Sequence, residues 1–287
     1  MQLTLPNGKL DLKTTRVMGI LNVTPDSFSD GGSYSDAEAA VERALQMAAE
    51  GAALIDVGGE STRPDAATVS TQEEIDRVVP VIELFSRQSA VPVSLDTSKP
   101  EVMRAGVQAG AQMLNDVRAL TIPGALEAAV DLQVPVCLMH MQGTPKNMQN
   151  SPIYQDVTSD IKNYLEERVA VATRAGIRRD QLIVDPGFGF GKTLQHNLQL
   201  LRNLDEFVDT DMPLLVGLSR KSIIGKLLEN VGHTGASVDI DKRLAGSVTL
   251  ALYAAQKGAH IVRVHDVRET VAALTIAAAL SDTARDK

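Results

Sequence analysis

Eight short, nearly unbroken apolar runs recur along the chain, and they constrain its fold more than any other feature. They are 17-VMGILN-22, 53-ALIDVGG-59, 91-VPVSLDT-97, 112-QMLNDV-117, 134-VPVCLMH-140, 182-LIVDPG-187, 213-PLLVGLS-219 and 260-HIVRVHD-266. A strand with one wet face alternates apolar and polar residues. An unbroken run reads as a strand buried on both faces, the condition of a parallel sheet covered by helices. Helical patterns fill the intervals. Ser35 and Glu38 have the spacing of a capping box, with Val41, Ala44, Leu45 and Ala48 on one face and Gly51 as the stop. Thr71 with Glu74 repeats the spacing, as does Ser98 with Glu101, where Pro100 lies near the helix start. Ile161, Tyr164, Leu165, Val169 and Ala172 mark a long helix, and a last one is expected from about Arg268 to Leu280. Strand and helix alternating eight times predict an α/β fold with eight parallel strands, a closed TIM (β/α)8 barrel rather than an open doubly wound sheet. The 287 residues suit one such barrel, which takes about 250, and no Pro/Gly/Ser-rich linker divides them, so residues 1–287 are expected to form a single domain.

Charge and cysteine usage narrow the partners. The formal net charge of −8 leaves no basic surplus for a nucleic acid or an anionic membrane. The single cysteine, Cys137, sits inside an apolar run and reads as a small buried hydrophobe, with no partner for a disulfide or a thiolate metal site. No signal-peptide core opens the sequence and no run of about 18 apolar residues occurs, so a soluble, cytoplasmic protein is expected.

Polar residues are distributed unevenly over the eight runs. Asn22, Asp96, Asn115, His140, Asp185 and Ser219 stand at or just past the last apolar residue of a run, and Arg263 and His265 flank Val264. In a barrel the C-terminal ends of the strands meet at one mouth, where active sites are built. Asp96, Asn115, Asp185 and Lys221 offer the donors and acceptors that read a flat polar heterocycle such as an aminopyrimidinone. Asn22, Arg63, Arg263 and His265 suit a polyphosphate anion, with an oxygen of Asn22 available to Mg2+. The bland alternative for Arg263 is an ion pair with a rim aspartate. Asp56 and Asp116 read as helix caps or Asx-turns, and His140 as structural. Two polar loops, 23-VTPDSFSDGGSYS-35 and 60-ESTRPDAATVS-70, carry Phe28 and Arg63 and read as lids. The run 185-DPGFGFGKT-193 lacks the spacing of a nucleotide P-loop; its glycines let the backbone approach a ligand beside Asp185.

These segments resemble a known family. The stretches 18-MGILNVTPDSFSDGG-32 and 55-IDVGGESTRP-64 are similar to two signatures of the dihydropteroate synthases, and 94-SLDTSKPEV-102, 114-LNDV-117, 139-MHMQGTP-145, 185-DPGFGFGK-192, 216-VGLSRKS-222 and 261-IVRVHDV-267 follow in that family's order. The resemblance implies a pterin-binding TIM barrel. It implies a transferase that joins 6-hydroxymethyl-7,8-dihydropterin pyrophosphate to p-aminobenzoate with Mg2+, giving 7,8-dihydropteroate, and that sulfonamides inhibit. By the same resemblance Asp96, Asn115, Asp185 and Lys221 form the pterin pocket. Asn22 contacts magnesium and pyrophosphate, with Arg263 and His265 as the clamp. Thr62, Pro64, Phe28, Phe190 and Ser222 make the p-aminobenzoate site. Asp96 and Asp30 offset charge in a dissociative step in which pyrophosphate leaves first, with Arg63 and Lys221 assisting. A homodimer is implied. The stretch 233-HTGASVDIDKRLAGS-247 is longer than the family pattern leads one to expect and reads as a surface insertion. The rival, a methyltetrahydrofolate:corrinoid methyltransferase with the same barrel and a pterin pocket, should lack the SRKS motif and both loop signatures.

Overall fold

The structure, a computed structural model, describes residues 1–24, 33–61, 68–144, 148, 152–230 and 239–282. Eight parallel strands form the predicted sheet: β3 (Arg16–Asn22), β4 (Leu54–Gly58), β5 (Val93–Asp96), β6 (Met113–Asp116), β7 (Val136–Met139), β8 (Leu182–Asp185), β9 (Leu215–Gly217) and β10 (Ile261–Val264). Their hydrogen-bonded order is β8-β7-β6-β5-β4-β3-β10-β9. A parallel bridge from Val184 to Leu214 brings the two ends of this sheet together, and Val184 N–H donates to Pro213 O at 3.0 Å. The sheet is therefore a barrel, and the open doubly wound alternative falls.

Each barrel strand is followed by a helix, and β9 by two. These are α1 (Ser33–Ala49), α2 (Thr71–Gln88), α3 (Pro100–Ala109), α4 (Ala125–Leu132), α5 (Val157–Ala175), α6 (Leu194–Arg202), α7 (Ser222–Asn230), α8 (Leu244–Gln256) and α9 (Val267–Asp282). The apolar stripes anticipated from the sequence lie against the barrel: Val41 and Ala44, Val78 and Ile82, and Ile161, Leu165, Val169 and Ala172 are all buried in one continuous core. Each Val, Leu or Ile so placed contributes roughly 1.5–3 kcal/mol.

The predicted capping boxes are not the ones that form. Helix α1 begins at Ser33, which puts Ser35 inside it. The cap of α2 is Ser70, whose side chain accepts from Glu73 N–H at 3.2 Å. That frees Glu74 for the interior. The N-cap of helix α3 is Lys99, which makes no side-chain cap, and Ser98 Oγ donates to Asp116 Oδ1 at 2.5 Å. The one complete box described pairs Thr193 with His196 at the start of α6.

An element unforeseen from the sequence closes the bottom of the barrel. Residues Gln2–Leu5 (β1) and Gly8–Asp11 (β2) form an antiparallel hairpin. Its Leu3 and Leu5, with Leu12, pack on Met18, Leu54, Met113, Cys137, Ile183, Leu215 and Ile261. Those seven come from seven different barrel strands, so the hairpin seals the N-terminal end with an apolar layer. Side chains two residues further along a strand point the same way. From the sealed layer that step leads to Asp56, Asn115, Asp185, Gly217 and Arg263, the next layer towards the mouth.

Candidate active site

The polar layer is held by charge-assisted hydrogen bonds across the barrel. Arg263, on β10, donates from Nε to Asp56 Oδ2 at 2.5 Å and from Nη2 to Asp96 Oδ2 at 2.7 Å. Asn115 Nδ2 donates to the same Asp56 oxygen at 3.1 Å. Burial pushes the Asp96 carboxyl up to about 7; Arg263 opposes the rise and the like charge of Asp56 adds to it. Burial alone would lower the Arg263 guanidinium, but the two carboxylates together hold it above its ordinary value. The pair reading of Arg263 is thus correct in this structure, and two of its nitrogens are committed before any pyrophosphate arrives. Asp56 is not a cap. It is a fully buried member of the site that the sequence reading passed over, while Asp116 does make the expected Asx-turn, accepting from Arg118 and Leu120 N–H at 2.8 and 2.7 Å.

Across the mouth, Asp185 ends β8 and accepts from Gly187 N–H at 2.7 Å. Burial raises its carboxyl, and Lys221 works against the rise. Lys221 lies just before α7. Its Nζ donates to Phe188 O and stands 4.5 Å above the centre of the Phe190 ring. Burial lowers the Lys221 ammonium to about 8, against the pull of Asp185. Ser222 is exposed at the first position of α7.

Two glycines of 185-DPGFGFGKT-193 let the loop pass close to the protein's own backbone. Gly187 has φ +69°, and a Cβ there would sit 1.9 Å from His140 O; at Gly191, φ +63°, it would sit 2.7 Å from Gln142 O. The loop is drawn against the end of β7 by Lys192, a second residue the sequence reading did not single out. Its buried Nζ reaches Gly187 O at 2.8 Å, Phe190 O at 2.9 Å and His140 Nδ1 at 3.0 Å. Burial pushes the Lys192 ammonium well below its ordinary value. His140 is driven down to about 2 by burial and by Lys192, so it is a neutral acceptor and a structural residue, as expected.

His265 follows β10. Its backbone N–H donates to Ser219 Oγ at 3.1 Å and its Nδ1 lies 3.0 Å from the same oxygen. Which of the two donates in that contact depends on the tautomer of the ring. The following residue, Asp266, is locked by Arg220 through two hydrogen bonds of 2.5 and 3.2 Å. Arg220 is itself held by the segment expected to be a surface insertion: Arg243 Nη1 donates to Arg220 O at 2.9 Å and Ser247 Oγ accepts from Arg220 N–H at 2.9 Å. Both Arg243 and Ser247 are buried. The 243–247 part of that stretch therefore braces the SRKS turn, with Arg243 and Ser247 buried rather than on the surface; 233–238 lie outside the described residues. Asn22 ends β3 and is exposed at the mouth. Phe28, Asp30, Thr62, Arg63 and Pro64 also lie outside the described residues.

Comparison with known proteins gives the family. The pterin binding enzyme family model matches residues 18–265. The dihydropteroate synthase of Escherichia coli strain K12 is 52% identical over 287 residues, covering 100% of this chain and 99% of that one. The chain belongs to the dihydropteroate synthase family of pterin-binding enzymes. Among solved members of the family, the Xanthomonas albilineans enzyme with 4-aminobenzoic acid superposes with a TM-score of 0.90 at 51% identity, covering 98% of both chains. The Yersinia pestis enzyme in a sulfonamide drug complex gives 0.91 at 52% identity, covering 98% of this chain and 100% of that one. The family's reaction is a group transfer.

Proposed function

We propose that this mouth condenses 6-hydroxymethyl-7,8-dihydropterin pyrophosphate with p-aminobenzoate to give 7,8-dihydropteroate and pyrophosphate. The observation that carries the reading is the polar layer itself. Asp96 and Asp185 end β5 and β8, Asn115 stands one residue before the end of β6, and Lys221 lies near both carboxylates, so the mouth offers acceptors, an amide and an ammonium. That set matches the aminopyrimidinone edge of a pterin, and a molecule lacking those groups would leave buried polar atoms unpaired. Phe190 and Ser222 stand beside Lys221 on the side assigned to p-aminobenzoate, with Phe28, Thr62 and Pro64 assigned there by resemblance.

Among the described residues no group of three or more His, Cys, Asp or Glu is placed to hold a metal. One exposed amide oxygen of Asn22 suits Mg2+, which keeps several waters and binds through one or two protein oxygens together with substrate phosphates. Bound there, the ion would neutralise charge on the leaving pyrophosphate. His265 offers a ring nitrogen to that anion, with Arg63 assigned to it by resemblance, and Arg263 lends charge from beneath. As the C–O bond breaks, positive charge grows on the exocyclic methylene. The Asp96 carboxylate offsets it, with Asp30 assigned to the same task, and the amine then forms the C–N bond and gives up a proton. The whole chain acts as one barrel domain in the cytoplasm, consistent with a free, buried Cys137 and with the lack, among the described residues, of any helix long and apolar enough to cross a membrane. A homodimer through the neighbouring helices α8 and α9 would cover Tyr253, Ile276 and Leu280, which are 37%, 63% and 70% exposed.

Incubating the chain with both substrates and Mg2+ should yield dihydropteroate and one equivalent of pyrophosphate. No product above the enzyme-free rate at saturating substrates would overturn the proposal.

A further inference from the structure

Two side chains of the mouth, Arg263 and Asn115, take their orientation from a third that has no route to a ligand. Asp56, on β4, is 0% exposed. Its Oδ2 accepts from both Arg263 Nε and Asn115 Nδ2, at 2.5 and 3.1 Å. Its Oδ1 is buried and has no hydrogen-bond partner among the described residues. A buried carboxylate is costly unless well paired, and apolar side chains of similar volume usually serve stability as well or better. Stability alone is therefore a poor account of an aspartate here, half of whose acceptor capacity goes unused.

The geometry gives a better one. Arg263 stands on β10 and Asp96 on β5, with β3 and β4 between them in the sheet. A guanidinium reaching across that distance has many rotamers open to it. Holding Nε, the nitrogen nearest the stem, fixes the plane of the whole group and delivers Nη2 to Asp96 at 2.7 Å. The same oxygen settles the flip of the Asn115 amide: with its nitrogen turned down to Asp56, its carbonyl oxygen is the end left for the mouth. We propose that Asp56 is a positioning residue for the pterin site: it fixes the plane of Arg263 and the flip of Asn115 while touching no substrate atom. The proposal rests on the reading of the mouth as a pterin pocket.

The test is a double-mutant cycle of Asp56→Asn with Arg263→Met, read as kcat/KM for the pterin pyrophosphate, with the KM for p-aminobenzoate and the melting temperature followed alongside. Asp56→Asn keeps the shape but presents a donor and an acceptor to two donors. In the otherwise native chain it should lower kcat/KM by about 30-fold or more while p-aminobenzoate KM moves by less than about threefold. In the Arg263→Met background the same substitution should cost less than about threefold, or restore activity, because most of what it positions is already gone. Asp56→Ser, which makes room for water in place of the carboxylate, is the second variant should the first fail to fold, and it should behave alike. An equal loss in both backgrounds, or a loss within threefold in the native one, overturns the proposal. An active native chain with unaffected variants fails Asp56 alone, whereas a native chain that makes no dihydropteroate takes down the pterin reading with it.

Discussion

Replacing Lys99 with methionine should loosen the barrel and the entrance to the p-aminobenzoate side together. Lys99 lies just before α3, and its Nζ reaches Glu74 Oε2 at 2.6 Å, Val69 O at 2.7 Å and Glu60 Oε2 at 3.0 Å. Glu60 Oε1 in turn accepts from Val69 N–H at 3.2 Å. One ammonium thus ties both flanks of the segment carrying Thr62, Arg63 and Pro64 to the barrel. Glu74 is only 1% exposed, and removing one partner of a buried pair costs about 3–5 kcal/mol, since the other charge stays behind. The Glu60 contact, with its carboxylate 31% exposed, adds at most about 1 kcal/mol. A loss near 3 kcal/mol is expected, a fall in Tm of roughly 6–10 °C for a chain of this size. Burial alone would lower the Lys99 ammonium, but hydrogen bonds to Glu74 and Glu60 hold it above its ordinary value. A raised lysine stabilises fully below its unfolded value and loses that effect only as pH rises through the folded one, so an assay at neutral pH sees the whole contribution. Urea unfolding followed by circular dichroism measures it. The double variant Lys99→Met/Glu74→Leu should recover most of the loss, and in the single variant KM for p-aminobenzoate should rise several-fold more than KM for the pterin. A stability loss below about 1 kcal/mol, or a double variant weaker than the single, would refute the argument.

Three further outcomes are expected. The pH profile of kcat/KM should rise through about 7, where Asp96 becomes the carboxylate that accepts from the pterin and faces the developing cation, and fall through about 8, where Lys221 ceases to be a cationic donor; a flat profile from about pH 6 to 9 would refute both assignments. Asp185→Asn should put a donor against donors and cost on the order of 10²-fold in kcat/KM, and pterin affinity within twofold of the native chain, by direct titration, removes Asp185 from the site. Gly187→Ala should abolish activity and lower Tm, because its Cβ would overlap His140 O at 1.9 Å in a backbone that already has φ +69°; an active, equally stable variant would mean that the loop takes another path.

The barrel was legible because burial on both faces leaves a mark that needs no partner to read: eight unbroken apolar runs are eight covered parallel strands. The rim was legible for a related reason, since a polar residue ending such a run has nowhere to go but the mouth. The hairpin of β1 and β2 was missed because four-residue strands alternating around Leu3 and Leu5 look like any polar terminus, and only the apolar floor formed by seven distant strands explains them. The capping boxes slipped because spacing alone does not choose between Ser70 and Thr71, or between a cap and Asp116 as the partner of Ser98. Asp56 was misjudged for a different reason. It stands inside its strand rather than at the end, so the end-of-run rule discards it, yet the two-residue period of a strand retains it. Leu54 faces the sealed floor with Met113, Ile183 and Ile261, and two residues on from each come Asp56, Asn115, Asp185 and Arg263. Strand period and strand register together define a layer, and a layer in which an aspartate, an asparagine and an arginine meet cannot be a set of independent caps. Each of those charges would be too costly to bury alone, so the presence of any one of them inside the barrel argues for the others.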